Sequence, residues 1–553
     1  MESRNLVYVL TGIAVALIVV IGGLVLLVSS GGDGDDDGSS GGNGDASPTL
    51  GARVEGELRI PGGDPITLDP ACATDIESAS YIIEIFSGLV GYDNNLELIP
   101  DIASEWDVSD DGTVYTFHLR TNVLFHDGSR RVASDDFKYS MERALNPDTA
   151  SLVADVYLGD IVGVDEFISG DASEVSGIKA PNPDTLEITI EKASPVFLPK
   201  LTYPTAFVVD RNETEGSSCF DAGWTFSPNG TGPFELAEWD LGNAIILEPN
   251  PDYYLDPKPS LSKITFLLSG GSSFTMYQND EIDITGVGKD NVESVRDATN
   301  ELNAEYRFST TLSVSYIGFN VNQEPFDDPE VRRALAMAID KEFLTENLYK
   351  GLLDAADGIL PPEMPGHNPD LQGIPYDPDA ARDLLDDTGK RDLLEDVTIL
   401  TSGQGAAPDD VLQAITAMWE QNLGLTITVE QEDFALLTQD INDGNFDMFS
   451  IGWIADYPDP QNFLEIKFHT DSSNNDVGYS NPEVDRLLDE ANGDLSDEER
   501  FELYQEAEQI IVDDQPWIPL FFGTSSLLVK PHVQGYEAAP FAIPNLRYVS
   551  ISD

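Results

Sequence analysis

Residues 446–464 read FDMFSIGWIADYPDPQNFL. The run Met448–Ile454 is short, apolar and aromatic, and the two prolines that follow leave no room for three helical turns. We therefore predict a buried strand here. Pro458 and Pro460 then impose an extended, turning chain with few backbone donors, so the strand should end in a stiff loop.

Three side chains mark the end of this predicted strand, namely Trp453, Asp456 and Tyr457. An aromatic ring beside a single carboxylate, both on a stiff segment of backbone, is suited to bind a small cationic ligand. The alternative is a core tryptophan followed by a surface Asp-Pro turn. The residues alone leave both interpretations open.

The same stretch resembles the W-x-A-D-Y-x-x-P-x-x-F segment of the dipeptide/oligopeptide-binding family of ABC-transporter solute receptors, solute-binding family 5. In peptide-binding members the aspartate of that segment accepts the ligand's α-ammonium group. The resemblance therefore implies this role for Asp456, with Trp453 in the pocket wall and Tyr457 as the third candidate ligand-binding residue. Some members also carry an arginine three residues before the tryptophan, but Ser450 occupies that position here.

Further blocks in the same order extend the resemblance from about residue 56 to about residue 550. They lie within residues 88–145, 229–254 and 326–342, the last reading FDDPEVRRALAMAIDKE. The family fold is α/β, of the two-lobed periplasmic-binding-protein type II, with an extra subdomain in the first lobe and the ligand cleft between the lobes. We expect lobe 1 at 51–318 with a subdomain at about 81–200, lobe 2 at 319–515, and a return to lobe 1 at 516–553. The chain should cross between the lobes near Ser315–Asn320 and Asp513–Pro519.

By resemblance, the function is that of an extracytoplasmic receptor of an ABC importer. It would capture a di- or oligopeptide between its lobes by a hinge motion and deliver it to a permease driven by ATPases. The alternatives are a receptor for a non-peptide solute such as a nickel chelate, haem or a saccharide, a chemosensory binding protein, and an enzyme.

No catalytic residue, metal or cofactor is predicted. His126-Asp127-Gly128 is interpreted as a turn, because no nucleophile or second acid accompanies it. The five histidines show no metal-ligand spacing.

The charge of the chain excludes one class of partner. Its 553 residues include 100 acidic and 29 basic ones, for a net charge of -71. Nucleic-acid binding through phosphates needs Lys and Arg, so it is not expected. Because 41% of the residues are hydrophobic, we predict a folded protein with an acidic surface, whose self-repulsion salt would screen.

The N-terminus carries an uncharged apolar run, Leu6–Val28, which as a helix would span about 34 Å. No cysteine follows it for lipid attachment, so residues 1–28 are predicted to be an uncleaved membrane anchor, with a cleaved signal as the alternative. Residues 29–50 form a Gly/Asp/Ser-rich linker. The body is expected at the extracytoplasmic face of the membrane, in the periplasm or at the cell surface.

Four further residues carry local expectations. Cys72 and Cys219 could form a disulfide outside the cell, with two buried thiols as the alternative. Ser134 is predicted to cap a helix that continues to Leu145. Arg332 could bind an anionic group of the ligand. The alternative is that it lies on a solvated or interlobe face of a helix.

Overall fold

The computed structural model describes residues 53–552 apart from residues 94, 222, 404–407, 473, 494 and 538–542. The predicted anchor, residues 1–28, and the linker, residues 29–50, lie outside this range. Within it, no helix combines the length and the apolar character that crossing a membrane requires.

Strands occur along the whole described chain. They form a central seven-stranded sheet, two four-stranded sheets and two two-stranded sheets. Most are short, and two are long. In chain order they are β1 (Glu57–Pro61), β2 (Val90–Tyr92), β3 (Leu98–Pro100), β4 (Ala103–Val108), β5 (Val114–Leu119), β6 (Ile178–Asn182), β7 (Thr185–Thr189), β8 (Phe234–Asp240), β9 (Ala244–Pro249), β10 (Lys263–Leu267), β11 (Ile284–Gly286), β12 (Tyr306–Phe319), β13 (Asp354–Ala355), β14 (Thr398–Ser402), β15 (Thr428–Glu432), β16 (Met448–Ile454), β17 (Trp517–Val529), β18 (Val533–Gln534) and β19 (Ser550–Ile551).

The helices pack on the faces of these sheets. In chain order they are α1 (Ile76–Ile85), α2 (Ser134–Leu145), α3 (Ala154–Leu158), α4 (Val164–Ile168), α5 (Phe197–Lys200), α6 (Arg211–Thr214), α7 (Ser273–Gln278), α8 (Val292–Arg296), α9 (Pro329–Met337), α10 (Lys341–Phe343), α11 (Pro378–Thr388), α12 (Asp410–Leu423), α13 (Phe434–Asp443), α14 (Gln461–Phe468), α15 (Pro482–Ala491) and α16 (Asp497–Asp514). Short 3-10 segments cover Pro204–Ala206, Gly223–Phe226, Glu301–Glu305, Arg391–Leu394 and Leu546–Tyr548, and Leu344–Leu348 is a π-helical turn.

The predicted first lobe contains two four-stranded sheets. One has the order β1-β10-β9-β8, with β1 parallel to β10, and buries α1 through residues such as Ile82 and Ile85. The other has the order β4-β5-β7-β6 and carries α2 and α3 on one face, with Phe117 and Phe137 fully buried between them. This second sheet lies within the predicted subdomain, and its alternating buried residues are those of a half-exposed antiparallel sheet.

A central mixed sheet of order β11-β17-β12-β16-β14-β15 combines strands from both predicted lobes. The long strands β12 and β17 pair antiparallel with each other along most of their length. Their register shifts between Thr310 and Val314. Before the shift, β17 also pairs with β11, and after it β12 pairs with β16.

The two lobes thus share one pair of continuous strands. We propose that the chain crosses between the lobes at this register shift, where Thr310 faces Thr524 and Val314 faces Phe522. These positions lie a few residues before the first predicted crossing and after the second. A shift in register is where a sheet bends, so it can also act as a hinge.

Two local predictions need correction. Ser134 is the first residue of α2 and not its cap, which is Ala133. The N–H of Ala133 donates to the carboxylate of Asp136 over 2.9 Å. Ser134 instead donates its hydroxyl to the carbonyl of Asn182. Arg332 is buried and not solvated, because its guanidinium donates to the carbonyls of Phe326 and Gln515 at the end of α16.

Cys72 and Cys219 are joined by a disulfide, with their Cα atoms 5.5 Å apart. The bond connects the segment before α1 to the segment after α6, 147 residues along the chain. Both segments fall within the predicted first lobe, so the bond holds two distant parts of that region together.

Candidate functional site

The predicted strand at residues 448–454 is confirmed as β16. It lies between β12 and β14 in the central sheet, and Trp453 pairs with Val314 of β12. The chain then leaves the sheet, with the N–H of Ala455 still bonded to the carbonyl of Leu312. The candidate residues therefore lie where a strand runs out into a loop, as the sequence predicted, and at this end the strand pairs with β12.

Asn462, in the first turn of α14, holds the loop to the strand. Its amide donates to the carboxylate of Asp456 over 2.9 Å, and its own side-chain oxygen accepts the N–H of Asp456. The indole N–H of Trp453 donates to the carbonyl of Asn462 over 3.0 Å. Because Asn462 is fully buried, it fixes the relative positions of Trp453 and Asp456. Sequence reasoning did not single it out, and its place at the start of a helix after two prolines was the available signal.

Asp456 also meets the first lobe. Tyr157, in α3, lies beside this carboxylate, close enough for the charge of Asp456 to act on its hydroxyl. Tyr203 stacks on Tyr157 with ring centroids 3.7 Å apart and planes 7° from parallel. The hydroxyl of Tyr203 in turn donates to the carbonyl of Ala73 over 3.1 Å. The carboxylate thus lies between the lobes, beside two tyrosines that no sequence pattern indicated.

The electrostatics of Asp456 follow from this setting. The residue is half-buried and its carboxylate is densely surrounded by protein atoms. Burial raises the pKa of Asp456, while the hydrogen bond from Asn462, the neighbouring hydroxyl of Tyr157 and the charge of Lys467 act to lower it. Desolvation followed by the nearby charge of Asp456 raises the pKa of Tyr157 well above its ordinary value. Neutral donors therefore carry most of the stabilisation of this carboxylate.

Trp453 already carries a cation on its ring. The Nζ of Lys467 lies 4.0 Å from the ring centroid and 2.8 Å from the carboxylate of Asp476. The ring of Trp453 can therefore hold a cation, but Lys467 already occupies one face of it in an internal cation–π contact. The part of Trp453 that remains half-exposed can line a pocket wall.

Tyr457 is fully buried, and its hydroxyl donates to Gln461. Its ring packs among the apolar residues of the first-lobe subdomain. In this conformation Tyr457 joins the second lobe to the first through packing, while Trp453 and Asp456 share the polar cluster around Asn462.

Two other features bear on site assignment. Among the described residues, no group of three or more His, Cys, Asp or Glu side chains is arranged to hold a metal ion. A surface pocket of about 520 Å³ lies between α15 and α16, lined by four glutamates and two leucines, and it includes neither Trp453 nor Asp456. This pocket is formed by α15, α16 and the loop between them. The site at Asp456, in contrast, is formed where the two lobes meet.

Comparison with known proteins gives a consistent result. The family model described as bacterial extracellular solute-binding proteins, family 5 Middle, matches residues 97–475. The periplasmic oligopeptide-binding protein OppA of Salmonella typhimurium is 29% identical over 498 residues, which cover 87% of this chain and 89% of that protein.

Solved structures agree on the fold. The Escherichia coli murein tripeptide binding protein MppA superposes with a TM-score of 0.78 at 27% identity, over 90% of this chain and 98% of that one. A second MppA structure, described as the unliganded open form, gives a lower TM-score of 0.70 at the same identity, over 92% and 99% of the two chains. This chain as a whole is therefore less similar to that open form than to the first MppA structure.

Proposed function

Because the chain belongs to family 5 of the bacterial extracellular solute-binding proteins, we propose that it is an extracytoplasmic peptide receptor of an ABC importer. It binds a di- or oligopeptide between its two lobes and presents it to a membrane permease driven by ATPases. The similar proteins are binding proteins, which supports a role in capture and release rather than in catalysis.

The observation that carries this proposal is the placement of Asp456. Its carboxylate is anchored to the second lobe by Asn462 and reaches the first lobe at Tyr157. A ligand ammonium placed here would replace neutral donors by an opposite charge in a region of low dielectric. Such a charge-assisted hydrogen bond is about twice as strong as a neutral one.

The fold supplies the motion that such capture requires. The long strands β12 and β17 run through both lobes and carry a register shift between Thr310 and Val314. Bending there would open the space between Tyr157 and Asp456 and admit a ligand. A ligand that contacts both lobes stabilises the closed form by its differential affinity for the two states.

The location and partners follow from the same proposal. The apolar run Leu6–Val28 would act as the anchor and residues 29–50 as the tether, with the body outside the cytoplasm. The receptor would then remain close to its permease. Sequencing of the mature N-terminus tests this part, since a start beyond residue 28 would mean that the segment is cleaved.

The amine contact is tested with a charge-removing variant. Asp456→Asn keeps the shape and the bond to Asn462, so the loop should stay in place. We expect binding of Ala-Ala-Ala, measured by calorimetry, to weaken by about 30-fold or more, since removing one partner of a buried charge pair costs about 2–5 kcal/mol. N-acetyl-Ala-Ala-Ala should bind the wild type poorly for the same reason.

The exposed Asp471 provides a matched control. Asp471→Asn should bind Ala-Ala-Ala as the wild type does. If Asp456→Asn also binds within twofold of the wild type, the amine-anchor role is wrong. Native mass spectrometry of protein purified from its own host identifies the retained solute, and a non-peptide mass there would overturn the peptide assignment.

A further inference from the structure

Tyr457 is buried in the apolar core of the other lobe. It follows β16 in the predicted second lobe, and its side chain is fully buried in an apolar cluster. Among the described residues, every other buried member of that cluster lies between Ala71 and Val208, within the predicted first lobe. A side chain carried by the second lobe therefore completes the core of the first.

Leu96 makes the reverse contact. It is half-buried in the turn between β2 and β3 of the predicted first lobe, and it packs against a second apolar cluster. Over the part of the chain that the structure describes, the buried members of this cluster lie between Leu312 and Phe522. They belong to the predicted second lobe and to the shared strands β12 and β17. Each lobe thus places one apolar side chain against the core of the other.

The loop that carries Tyr457 is fixed to the second lobe. Both carboxylate oxygens of Asp459 lie 3.0 Å from Nη2 of Arg500, in α16. Arg500 is buried and also donates to the carbonyl of Ala491 over 3.1 Å. The N–H of Asp459 donates to the carbonyl of Tyr457 over 2.9 Å. Movement of the second lobe would therefore carry the ring of Tyr457 with it.

The turn that carries Leu96 holds it in an unfavourable backbone conformation. Leu96 has a φ of 63°, in the left-handed region that leucine rarely adopts. The carboxylate of Asp93 accepts the N–H groups of Asn95 and Glu97, each over 2.9 Å, and its carbonyl accepts the N–H of Leu96 over 3.1 Å. Such strain persists where the surrounding structure enforces it, commonly at functional segments. The contact of Leu96 with the other lobe gives this turn a function.

We propose that Tyr457 and Leu96 form a latch that holds the two lobes together when no ligand is bound. Opening the lobes moves both side chains out of apolar surroundings and into water, which is unfavourable in proportion to the apolar area exposed. The latch goes beyond the proposed function, because it acts through contacts of the chain itself and applies to any ligand. A ligand enters through the open form, so the latch also limits the rate of capture.

Small-angle X-ray scattering of the ligand-free protein tests the latch. Leu96→Asn removes the apolar contact and introduces a residue that tolerates a positive φ, so the turn should stay folded. Tyr457→Ala removes the buried ring. Each change should lower the ratio of closed to open protein by about tenfold or more. The double variant should therefore show a larger radius of gyration than the wild type.

Leu152 offers a matched control, because it lies in the same predicted subdomain and is 85% exposed. Leu152→Asn should keep the radius of the wild type. An unchanged radius in the folded double variant overturns the inference. If variants with Tyr457→Ala fail to fold, an unchanged radius in Leu96→Asn overturns it in the same way.

Stopped-flow binding of Ala-Ala-Ala separates the latch from the proposed function. Association should be about tenfold faster in Leu96→Asn than in the wild type, because a larger fraction of the protein is open. A larger radius without faster association would overturn the role of the latch in capture. If the peptide binds neither protein, the peptide assignment fails, and the scattering measurement still decides whether the latch exists.

Discussion

Tyr157, in α3 of the first lobe, lies beside Asp456, in the loop after β16 on the second lobe, where burial and then the charge of Asp456 raise the pKa of Tyr157. The approach of the two lobes brings these elements together. The hydroxyl of Tyr157 is therefore a neighbour of the carboxylate that the proposed function assigns to a ligand ammonium. Removing this hydroxyl separates the closure of the lobes from ligand binding.

Tyr157→Phe should favour the open form of the unliganded protein. The change deletes the hydroxyl and keeps the ring that stacks on Tyr203. A polar contact of this kind contributes about 1 kcal/mol, so the open fraction should rise by about fivefold. Small-angle X-ray scattering without ligand should report a larger radius of gyration than for the wild type. Tyr203→Phe, which leaves the hydroxyl of Tyr157 in place, should change the radius less, and an unchanged radius in Tyr157→Phe would contradict the prediction.

The disulfide should contribute strongly to the stability of the first lobe. Replacing both Cys72 and Cys219 by serine removes a bond across 147 residues of chain. We expect the free energy of unfolding, measured by urea denaturation, to fall by about 2–5 kcal/mol. The wild type in reductant should approach the variant. Two alkylatable thiols in the untreated wild type would show that the bond is absent from the protein in solution.

Glu508 should make stability decrease as pH rises. It is buried on α16, accepts the N–H groups of Ile359 and Leu360, and burial raises its pKa from 4.5 to about 7. Between these two values the folded state holds a proton that the unfolded state has released, so raising the pH destabilises the fold. The loss across this window is on the order of 3 kcal/mol, at about 1.4 kcal/mol per pKa unit.

The variant Glu508→Gln should remove this dependence, because glutamine keeps an acceptor for both N–H groups and does not ionise. Urea denaturation at pH 5 and pH 8 gives the comparison. The wild type should lose stability relative to the variant at pH 8. The exposed neighbour Glu506 is the control: Glu506→Gln should keep the pH dependence of the wild type. If the stability of Glu508→Gln depends on pH as strongly as that of the wild type, the assignment is wrong.

Salt should stabilise the whole molecule. A net charge of -71 on 553 residues makes the folded surface repel itself. Raising sodium chloride from 0.1 M to 1 M shortens the Debye length from about 10 Å to about 3 Å. The melting temperature should rise by several degrees. Sucrose matched in osmolality controls for solvent exclusion, and an equal rise in sucrose would count against a screening mechanism.

Local patterns predicted the frame of the site well. The apolar run identified β16, and the two prolines after it identified the end of the strand. These features depend on residues that are neighbours in the chain. The prediction that Ser134 caps α2 failed because other polar groups lie nearby. The hydroxyl of Ser134 donates to the carbonyl of Asn182, and the side chain of Asp136 accepts the N–H of the actual cap residue, Ala133.

The sequence by itself determined the strand, the stiff loop and the carboxylate of Asp456, because strand propensity and proline geometry act over a few residues. Only the tertiary structure decided what that carboxylate faces. Tyr157, with Tyr203 stacked on its ring, approaches it from a distant part of the chain, and Lys467, in α14, covers the ring of Trp453. Such contacts depend on how the lobes pack, and packing is set by the shape of whole surfaces rather than by any short pattern.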